Sequence, residues 1–319
     1  MKKILFATTA LVASAGFAAA EVKVTGAAEM GIIDGDHLAT AQFHTDVDVT
    51  FTLSGEADNG LTFGSKVKFE EAAGGIASTV EDDFAVWIAY GGATLTMGDT
   101  DGAFDWAMKE VGIGGSIADD HTTHTGFNFN SGLDGTYDGQ IARFDYTYDS
   151  FAVAISAEID DTGTFDPVWG IGFKYSGELA GLDLGVGIGY QTVDLGADVD
   201  VWGISLDTTF DNGLQAIVNY SDFDIAGTNV THWGLGLGYT MNALTLSANY
   251  GEYSFPGSAS DSGFGLAANY DLGGGLSVQF GYGSSSADVA PAVFGIGGGR
   301  FAGVTGDNES YSFGLAMSF

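Results

Sequence analysis

Short runs of alternating apolar and polar residues fill most of the chain after residue 20. In residues 61–70, for example, Phe63 and Val67 fall on one parity, and Lys66 and Lys68 fall on the other. Because successive side chains of a β-strand point to opposite faces of the sheet, this period of two predicts strands. The pattern predicts sixteen strands, at residues 21–31, 45–55, 61–70, 83–90, 94–98, 140–148, 151–158, 168–176, 182–192, 201–210, 214–221, 232–240, 243–253, 263–270, 275–283 and 309–319.

The connections between the predicted strands are of two kinds. Those after the even-numbered strands are short, such as the turn at residues 58–60, and those after the odd-numbered strands are longer. Short turns at one end and longer loops at the other are typical of bacterial outer-membrane barrels. An even number of antiparallel strands also lets the first strand pair with the last, so that the closed sheet has no edge.

The apolar parity of these strands is expected to face lipid. In a small barrel it would face inward, but sixteen strands in one sheet enclose a channel too wide for side chains to fill. The other parity carries small residues, such as Gly185, Gly187 and Gly189, which suit a lumen wall better than a core. Aromatic residues end many strands, as in membrane-interface girdles, although aromatics also favour strands in general. The sequence therefore predicts an all-β fold, a 16-stranded antiparallel transmembrane β-barrel.

One long segment, residues 98–139, lacks the alternation. A loop of this length inside a compact domain is usually functional or disordered. We expect this one, the third long connection, to fold into the lumen and to narrow it. Its carboxylates would form the acidic side of the constriction: Asp99, Asp101, Asp105, Glu110, Asp119 and Asp120.

Composition narrows the class of protein further. Residues 1–20, with Lys2 and Lys3, an apolar stretch and small residues at 18–20, predict a cleaved signal peptide, which leaves residues 21–319 as one barrel domain. The chain has 42 acidic and 9 basic residues, so nucleic acid is excluded as a partner and cations are favoured. It has no cysteine and therefore no disulfide bond.

Three segments resemble the general-diffusion porins of the Rhodobacter type, in the Gram-negative porin superfamily: NGLTFGSKVKF at residues 59–69, MGDTDGAFD at 97–105 and SFGLAMSF at 312–319. The resemblance extends to the signal peptide, the strand number and the long third loop. It implies a homotrimer in the outer membrane of a Gram-negative bacterium. It also implies a third loop folded into each barrel, acids on that loop facing bases on the wall, and often bound calcium.

The basic side of such a constriction has few candidates, because this chain has fewer arginines than the family's usual wall cluster. Lys66, Lys68, Arg143 and Lys23 all fall on the polar parity, where any charge that avoids lipid belongs. They are assigned to the basic side of the pore. The alternative is that they are ordinary lumen charges paired with neighbouring carboxylates.

The loop offers two candidate metal sites. Asp99, Asp101 and Asp105 offer the oxygen ligands that calcium prefers, and a bound Ca²⁺ would relieve their mutual repulsion, although the spacing of an EF-hand is absent. No cofactor is required by the sequence. His121 and His124 lie three residues apart beside aspartates, which suits either a metal ligand pair or a solvated loop.

The function expected from these features is passive diffusion of ions and small hydrophilic solutes through a cation-preferring pore. Lipid and lipopolysaccharide of the outer membrane would surround it. Two alternatives stay open: a substrate-specific channel, in which loop aromatics bind the solute, and an outer-membrane barrel enzyme or structural barrel. The enzyme alternative needs a catalytic constellation, and no nucleophile motif such as G-x-S-x-G is present in the required context.

Overall fold

Sixteen antiparallel strands close into a single barrel in the computed structural model, which describes residues 20–71, 79–179, 181–289 and 304–319. The predicted signal peptide lies outside these residues, apart from residue 20. The strands are β1 (Glu21–Gly35), β2 (Gln42–Glu56), β3 (Thr62–Glu71), β4 (Thr79–Tyr90), β5 (Ala93–Asp99), β6 (Gln140–Tyr148), β7 (Phe151–Glu158), β8 (Val168–Leu179), β9 (Leu182–Asp194), β10 (Asp198–Thr209), β11 (Leu214–Ile225), β12 (Thr228–Met241), β13 (Leu244–Ser254), β14 (Ser260–Gly273), β15 (Leu276–Ala287) and β16 (Gly306–Ser318).

Each strand pairs with its neighbours in the sequence, and β1 closes the ring on β16. Ala28 stands opposite Met317 in this last pair, and Glu21 to Ile33 pair with β2 on the other side. The predicted strand number, direction and closure are confirmed. Two helical turns, α1 (Ala103–Ala107) and a 3-10 turn at Ile117–Asp119, lie between β5 and β6. No helix of the described residues is long and apolar enough to span a membrane.

The prediction that every odd-numbered strand precedes a long connection is wrong in the middle of the chain. β11 and β12 are joined by residues 226–227 alone, and β9 and β10 by residues 195–197. These strands continue several residues beyond the predicted ends. Apolar side chains such as Phe223 and Val230 occupy the inner parity there. The alternation of apolar and polar residues is therefore lost at these positions, and the predicted strands ended too early.

The two faces of the sheet differ as the size argument requires. Along β12, Leu235 and Leu237 are exposed on the outer face, whereas Gly234, Gly236 and Gly238 are buried on the inner face. The same exposed apolar parity recurs from strand to strand around the barrel. This outer band has the character of a lipid-facing surface.

The inner face is not uniformly polar, contrary to the sequence prediction. Phe104, Met108 and Leu133 of the β5–β6 connection are buried in one apolar cluster with inward-facing residues of the wall. Those wall residues are Val168, Val193, Val199, Val201, Phe223, Val230 and Tyr253. Part of the barrel is therefore filled by packing between the connection and the wall, which removes apolar surface from water.

Candidate functional site

The connection between β5 and β6, residues 100–139, lies along the inner parity of the wall and is here called the inner loop. The first half of the inner loop runs from β7 towards β1. It contacts β7 where the N–H of Ala103 donates to Ser156 Oγ at 2.8 Å. The N–H of Lys109 donates to Ser205 Oγ of β10 at 3.0 Å, and the N–H of Ala118 donates to Glu29 Oε2 of β1 at 2.9 Å. These contacts are consistent with the predicted position of the loop in the lumen.

The chain then reverses and returns along the same strands. Ala118 and Asp119 both adopt left-handed backbone conformations at the reversal. On the return path the N–H of Thr125 donates to Ser285 Oγ of β15 at 3.0 Å, and the N–H of Leu133 donates to Gln191 Oε1 of β9 at 2.8 Å. The inner loop therefore covers the wall from β7 round to β1.

Glycines on the inner parity allow this close approach. A Cβ on Gly172 would lie 2.1 Å from the carbonyl oxygen of Ala103, and one on Gly187 would lie 2.0 Å from that of Ala107. The glycine run of β12 does the same for Val111, whose carbonyl oxygen would be 2.0 Å from a Cβ on Gly236. Only glycine fits at such positions, because real Cβ atoms do not approach backbone this closely.

Two carboxylates, the buried Glu158 and the half-buried Asp134, hold the base of the inner loop against the wall. The carboxylate of Glu158, only 2% exposed, accepts hydrogen bonds from the N–H groups of Gly135, Tyr137 and Gly139 at 2.9–3.1 Å. Asp134 accepts one from the N–H of Gly102 at 2.7 Å, which joins the two ends of the loop. Burial raises the pKa of the Asp134 carboxyl to about 7.

Three histidines are buried where the inner loop meets the wall. His124 Nε2 is 2.7 Å from Asn249 Oδ1 of β13, and His232 Nε2 of β12 is 2.9 Å from the carbonyl oxygen of Gly126. His121 Nδ1 is 2.8 Å from Ser116 Oγ within the loop. Burial lowers the pKa of both His121 and His124 to about 4, so both rings are neutral at pH 7. The two rings are therefore not solvated, and within the described part of the chain they belong to no group of three or more His, Cys, Asp or Glu side chains that could hold a metal ion.

The arc of the wall from β2 to β4 carries its own charges. β3 and β11 stand on opposite sides of the ring, and the inner loop contacts β11 where Asn219 Nδ2 donates to the carbonyl oxygen of Lys109 at 3.1 Å. On β3, Lys66 Nζ is 3.2 Å from Asp83 Oδ2, and Lys68 Nζ is 3.1 Å from Glu70 Oε2. Both lysines are therefore paired with carboxylates on the wall, as the alternative interpretation expected.

The other predicted bases occupy two further places. Lys23 of β1 and Lys66 of β3 both stand opposite Thr52 of β2, so their Cα atoms are about 10 Å apart at the usual strand spacing. Arg143 of β6 instead contacts the start of the inner loop. Its Nη1 donates to the carbonyl oxygen of Asp101 at 2.5 Å.

The predicted acids do not form one row. Asp101 is well exposed, with 64% of its side chain accessible, and Asp119 is exposed at the reversal. Asp120 is completely buried, so the prediction that it lines the open lumen is wrong. Asp99 ends β5 on the same parity as the exposed Met97, which places it on the outer parity and not on the lumen side.

Asp105 and Glu110 are half-buried on the inner loop. Burial is the largest cause that raises the pKa of Asp105, to about 8, and the nearby Asp101 carboxylate raises it further. Burial likewise raises the pKa of Glu110 to about 7. At pH 7 these two predicted acids are therefore largely or partly protonated, and the acidic side carries less charge than the residue count suggests.

The calcium prediction gains no support from the geometry. Within the described residues, no group of three or more His, Cys, Asp or Glu side chains is placed to hold a metal ion. Two of its three proposed ligands lie in different places. Asp99 is on the outer parity of β5, whereas Asp105 is half-buried on the inner loop.

Comparison with known proteins decides the family. The model of the Gram-negative porins matches residues 7–290. The chain belongs to the Gram-negative porin family. A porin of Rhodobacter capsulatus is 28% identical over 287 residues, which cover 81% of this chain and 92% of the relative. A porin of Fuscovulum blasticum is 26% identical over 272 residues, which cover 76% of this chain and 85% of the relative.

Solved porin structures share the fold. One refined porin structure superimposes with a TM-score of 0.68 at 20% identity, covering 94% of this chain and all of the other. A variant of Rh. blastica porin superimposes with a TM-score of 0.65 at 19% identity, covering 93% of this chain and all of the other. The family is one of channels and not of enzymes, and its barrel belongs to the outer membrane.

Sequence reasoning missed several residues that organise the inner loop of this porin. Lys174 of β8 and Trp106 of α1 are not among the residues that the sequence assigns to the constriction. In the structure, Lys174 Nζ lies 4.2 Å from the centroid of the Trp106 ring. The inner parity of Lys174 was visible in the sequence, but the position of Trp106 beside it was not. Glu158 and Gln191 gave no signal beyond their polar parity.

Proposed function

We propose that this porin is a passive, cation-preferring diffusion channel for ions and small hydrophilic solutes. The observation that carries the proposal is the course of the inner loop, which covers the wall from β7 to β1 and leaves the charged arc of β2 to β4 facing it. Sixteen strands enclose more space than side chains fill. Water and solutes would pass between the inner loop and this arc.

The selectivity follows from the charges on the two sides of that passage. Lys66 and Lys68 stand on the arc, while Asp101 and Asp119 are exposed on the inner loop. Opposed charges across a narrow, water-filled gap produce a transverse field that orients polar solutes and disfavours apolar ones. Each lysine is offset by a wall carboxylate, and the chain carries 42 acidic against 9 basic residues, so the field in the passage should be negative and cations should pass more readily than anions.

A substrate-specific channel is the second candidate. Phe104 and Phe127 are almost completely buried between the inner loop and the wall, so they are not available to a passing solute. Trp106 remains partly accessible, but its ring lies against Lys174 and Arg143. The geometry therefore favours general diffusion over a dedicated sugar site.

We further infer that residues 1–20 direct export, that the exposed outer band contacts outer-membrane lipid and lipopolysaccharide, and that the barrels assemble as homotrimers. The apolar outer parity supports the lipid contact. Membership in the family supports the export and the assembly. Mass determination of the native, detergent-extracted protein would test the leader cleavage and the trimer together.

Conductance in planar bilayers under a salt gradient tests the channel proposal. The purified protein should produce steady openings with a reversal potential of the cation-preferring sign. Replacing Lys66 and Lys68 together by Met should increase the cation preference, because two positive charges leave the passage. The surface variant Asp161→Asn serves as the control. A folded protein without conductance would contradict the channel, whereas conductance with anion preference would contradict only its proposed sign.

A further inference from the structure

Two basic side chains of the wall meet at one aromatic ring of the inner loop. Lys174 Nζ of β8 lies 4.2 Å from the centroid of the Trp106 ring, and Arg143 Cζ of β6 lies 5.9 Å from it. Both distances are within the reach of a cation–π attraction, for which tryptophan is the best ring. The ring is half-buried, so it lies at the boundary between the packed inner loop and the lumen.

The position of the ring is determined by backbone packing on the wall. Trp106 belongs to α1, whose carbonyl oxygens at Ala103 and Ala107 lie against Gly172 and Gly187. The N–H of Ala103 is held by Ser156 Oγ at 2.8 Å. These contacts with β7, β8 and β9 leave α1 little freedom, so the indole is presented to the two bases by a rigid support.

Carboxylates surround the same two bases. Arg143 Nε is 3.5 Å from Asp145 Oδ1, and Arg143 Nη1 is 4.0 Å from Asp101 Oδ2. Lys174 interacts electrostatically with Asp101, Asp105 and Asp145. A flexible lysine among several carboxylates has many competing positions, since its ammonium is a point charge on a four-carbon stem. Contact with the indole selects one of them.

We propose that Trp106 determines the ion selectivity of the pore by holding Lys174, together with Arg143, against the wall on the side of the inner loop. The inference rests on the proposed channel function. An aromatic ring attracts a cation without neutralising its charge. The two bases therefore keep their positive charge but remain at the margin of the passage, and cations pass through the centre with less repulsion.

Removal of the ring should release the ammonium of Lys174 into the passage. In the Trp106→Leu variant, the ratio of cation to anion permeability is expected to fall by about twofold or more, the scale of an exposed cation–π contact. The Trp106→Phe variant retains an aromatic face and should lie between the wild type and Trp106→Leu. Both ratios come from the reversal potential in planar bilayers under a potassium chloride gradient.

A second substitution separates charge placement from the loss of indole volume. Lys174→Met removes the charge itself and should raise the cation preference. In the Lys174→Met background, Trp106→Leu should then change the selectivity much less than it does in the wild type, because non-additivity measures the coupling of two residues. Trp202, which is exposed on the outer face, supplies the control Trp202→Leu, which should leave the selectivity unchanged.

The outcomes are distinguishable. If Trp106→Leu shifts the selectivity equally with and without Lys174, the ring acts by its volume and the positioning role is overturned. If Trp106→Leu changes only the conductance, the inference is also wrong while the channel function stands. If the folded wild type does not conduct, the channel proposal itself fails. Far-UV circular dichroism of each variant verifies that the barrel has formed.

Discussion

The backbone carbonyl oxygen of His121 lies so close to Gly265 of β14 that a Cβ on this glycine would be 1.6 Å from it. The same relationship joins Gly126 to Gly251 of β13, where a Cβ on either residue would be 2.0 Å from the carbonyl oxygen of the other. The inner loop therefore packs directly on the backbone of wall glycines, and hydrogen bonds from wall side chains surround these contacts. This construction suggests where substitutions should release the loop while the barrel remains intact.

Gly265→Ala should displace the return path of the inner loop. The new methyl group would have to push the backbone at His121 away, and overpacking of this kind typically costs about 1–3 kcal/mol. Limited proteolysis within residues 100–139, compared with the wild type, measures the displacement. Gly115→Ala is the matched control in the same region, because its nearest neighbour would be 3.7 Å away. Equal protease resistance of both variants would show that the close contact does not hold the loop.

Glu158→Gln should loosen the base of the inner loop. The two carboxylate oxygens accept three backbone hydrogen bonds. In glutamine only the amide oxygen can accept, and the NH₂ group would face N–H donors with which it cannot form a hydrogen bond. Hydrogen bonds to charged groups contribute about 1.5–3 kcal/mol each, so the substitution should lower loop stability by at least that amount. Hydrogen exchange of the N–H groups at Gly135, Tyr137 and Gly139 reports it. Asp161→Asn, at an exposed site, should leave these rates unchanged.

Ion selectivity should depend on pH between about 6 and 9. The pKa of Asp105 is raised to about 8 and that of Glu110 to about 7, so both carboxyls gain negative charge as the pH rises through this range. The cation preference should increase accordingly, and reversal potentials measured at a series of pH values record it. Asp105→Asn should remove the upper part of the titration. A selectivity that does not change from pH 6 to pH 9 would contradict ionisation of these groups at the passage.

The same raised pKa values predict a change in stability. A carboxyl whose folded pKa lies above its unfolded value of about 4 stabilises the fold at low pH, and this contribution is lost as the pH rises towards the folded pKa. The attachment of the inner loop around Asp105 and Asp134 should therefore weaken between about pH 4 and pH 8. Protease susceptibility near residue 105 measures this trend. Asp105→Asn should flatten it.

Acid should release the segment around the buried histidines. The pKa of His121 and His124 is lowered to about 4, below the ordinary value of 6.5, so the unfolded state binds more protons between these values. Stability present above pH 6.5 is therefore lost as the pH falls towards 4. Proteolysis near residue 124 should accelerate over this range in the wild type.

His124→Gln provides the matched test of this acid sensitivity. The glutamine amide can still donate towards Asn249 Oδ1 but cannot take up a proton, so the variant should respond less to acid. Asp161→Asn, at an exposed site between β7 and β8, should behave as the wild type does near residue 124. If His124→Gln remained as acid-sensitive as the wild type, another titrating group would have to account for the release.

The sequence by itself determined the sixteen strands, the order in which they pair and the apolar face that points outward. Period-two alternation is a local property, and an even number of antiparallel strands leaves few ways to close a sheet without an edge. It also indicated that residues 98–139 form a long, acidic connection. The sequence prediction failed where β9 joins β10 and β11 joins β12. There, inward-facing valines and Phe223 pack against that connection.

The tertiary structure alone decided which charges meet. Lys174 and Trp106 are 68 positions apart in the chain, and they come together because glycines on β8 and β9 let α1 lie flat against the wall. The burial of Asp120 and the raised pKa of Asp105 depend in the same way on how the inner loop packs against the wall. Such contacts have no sequence period, because they are made by backbone and side chains that only the closed barrel brings within reach.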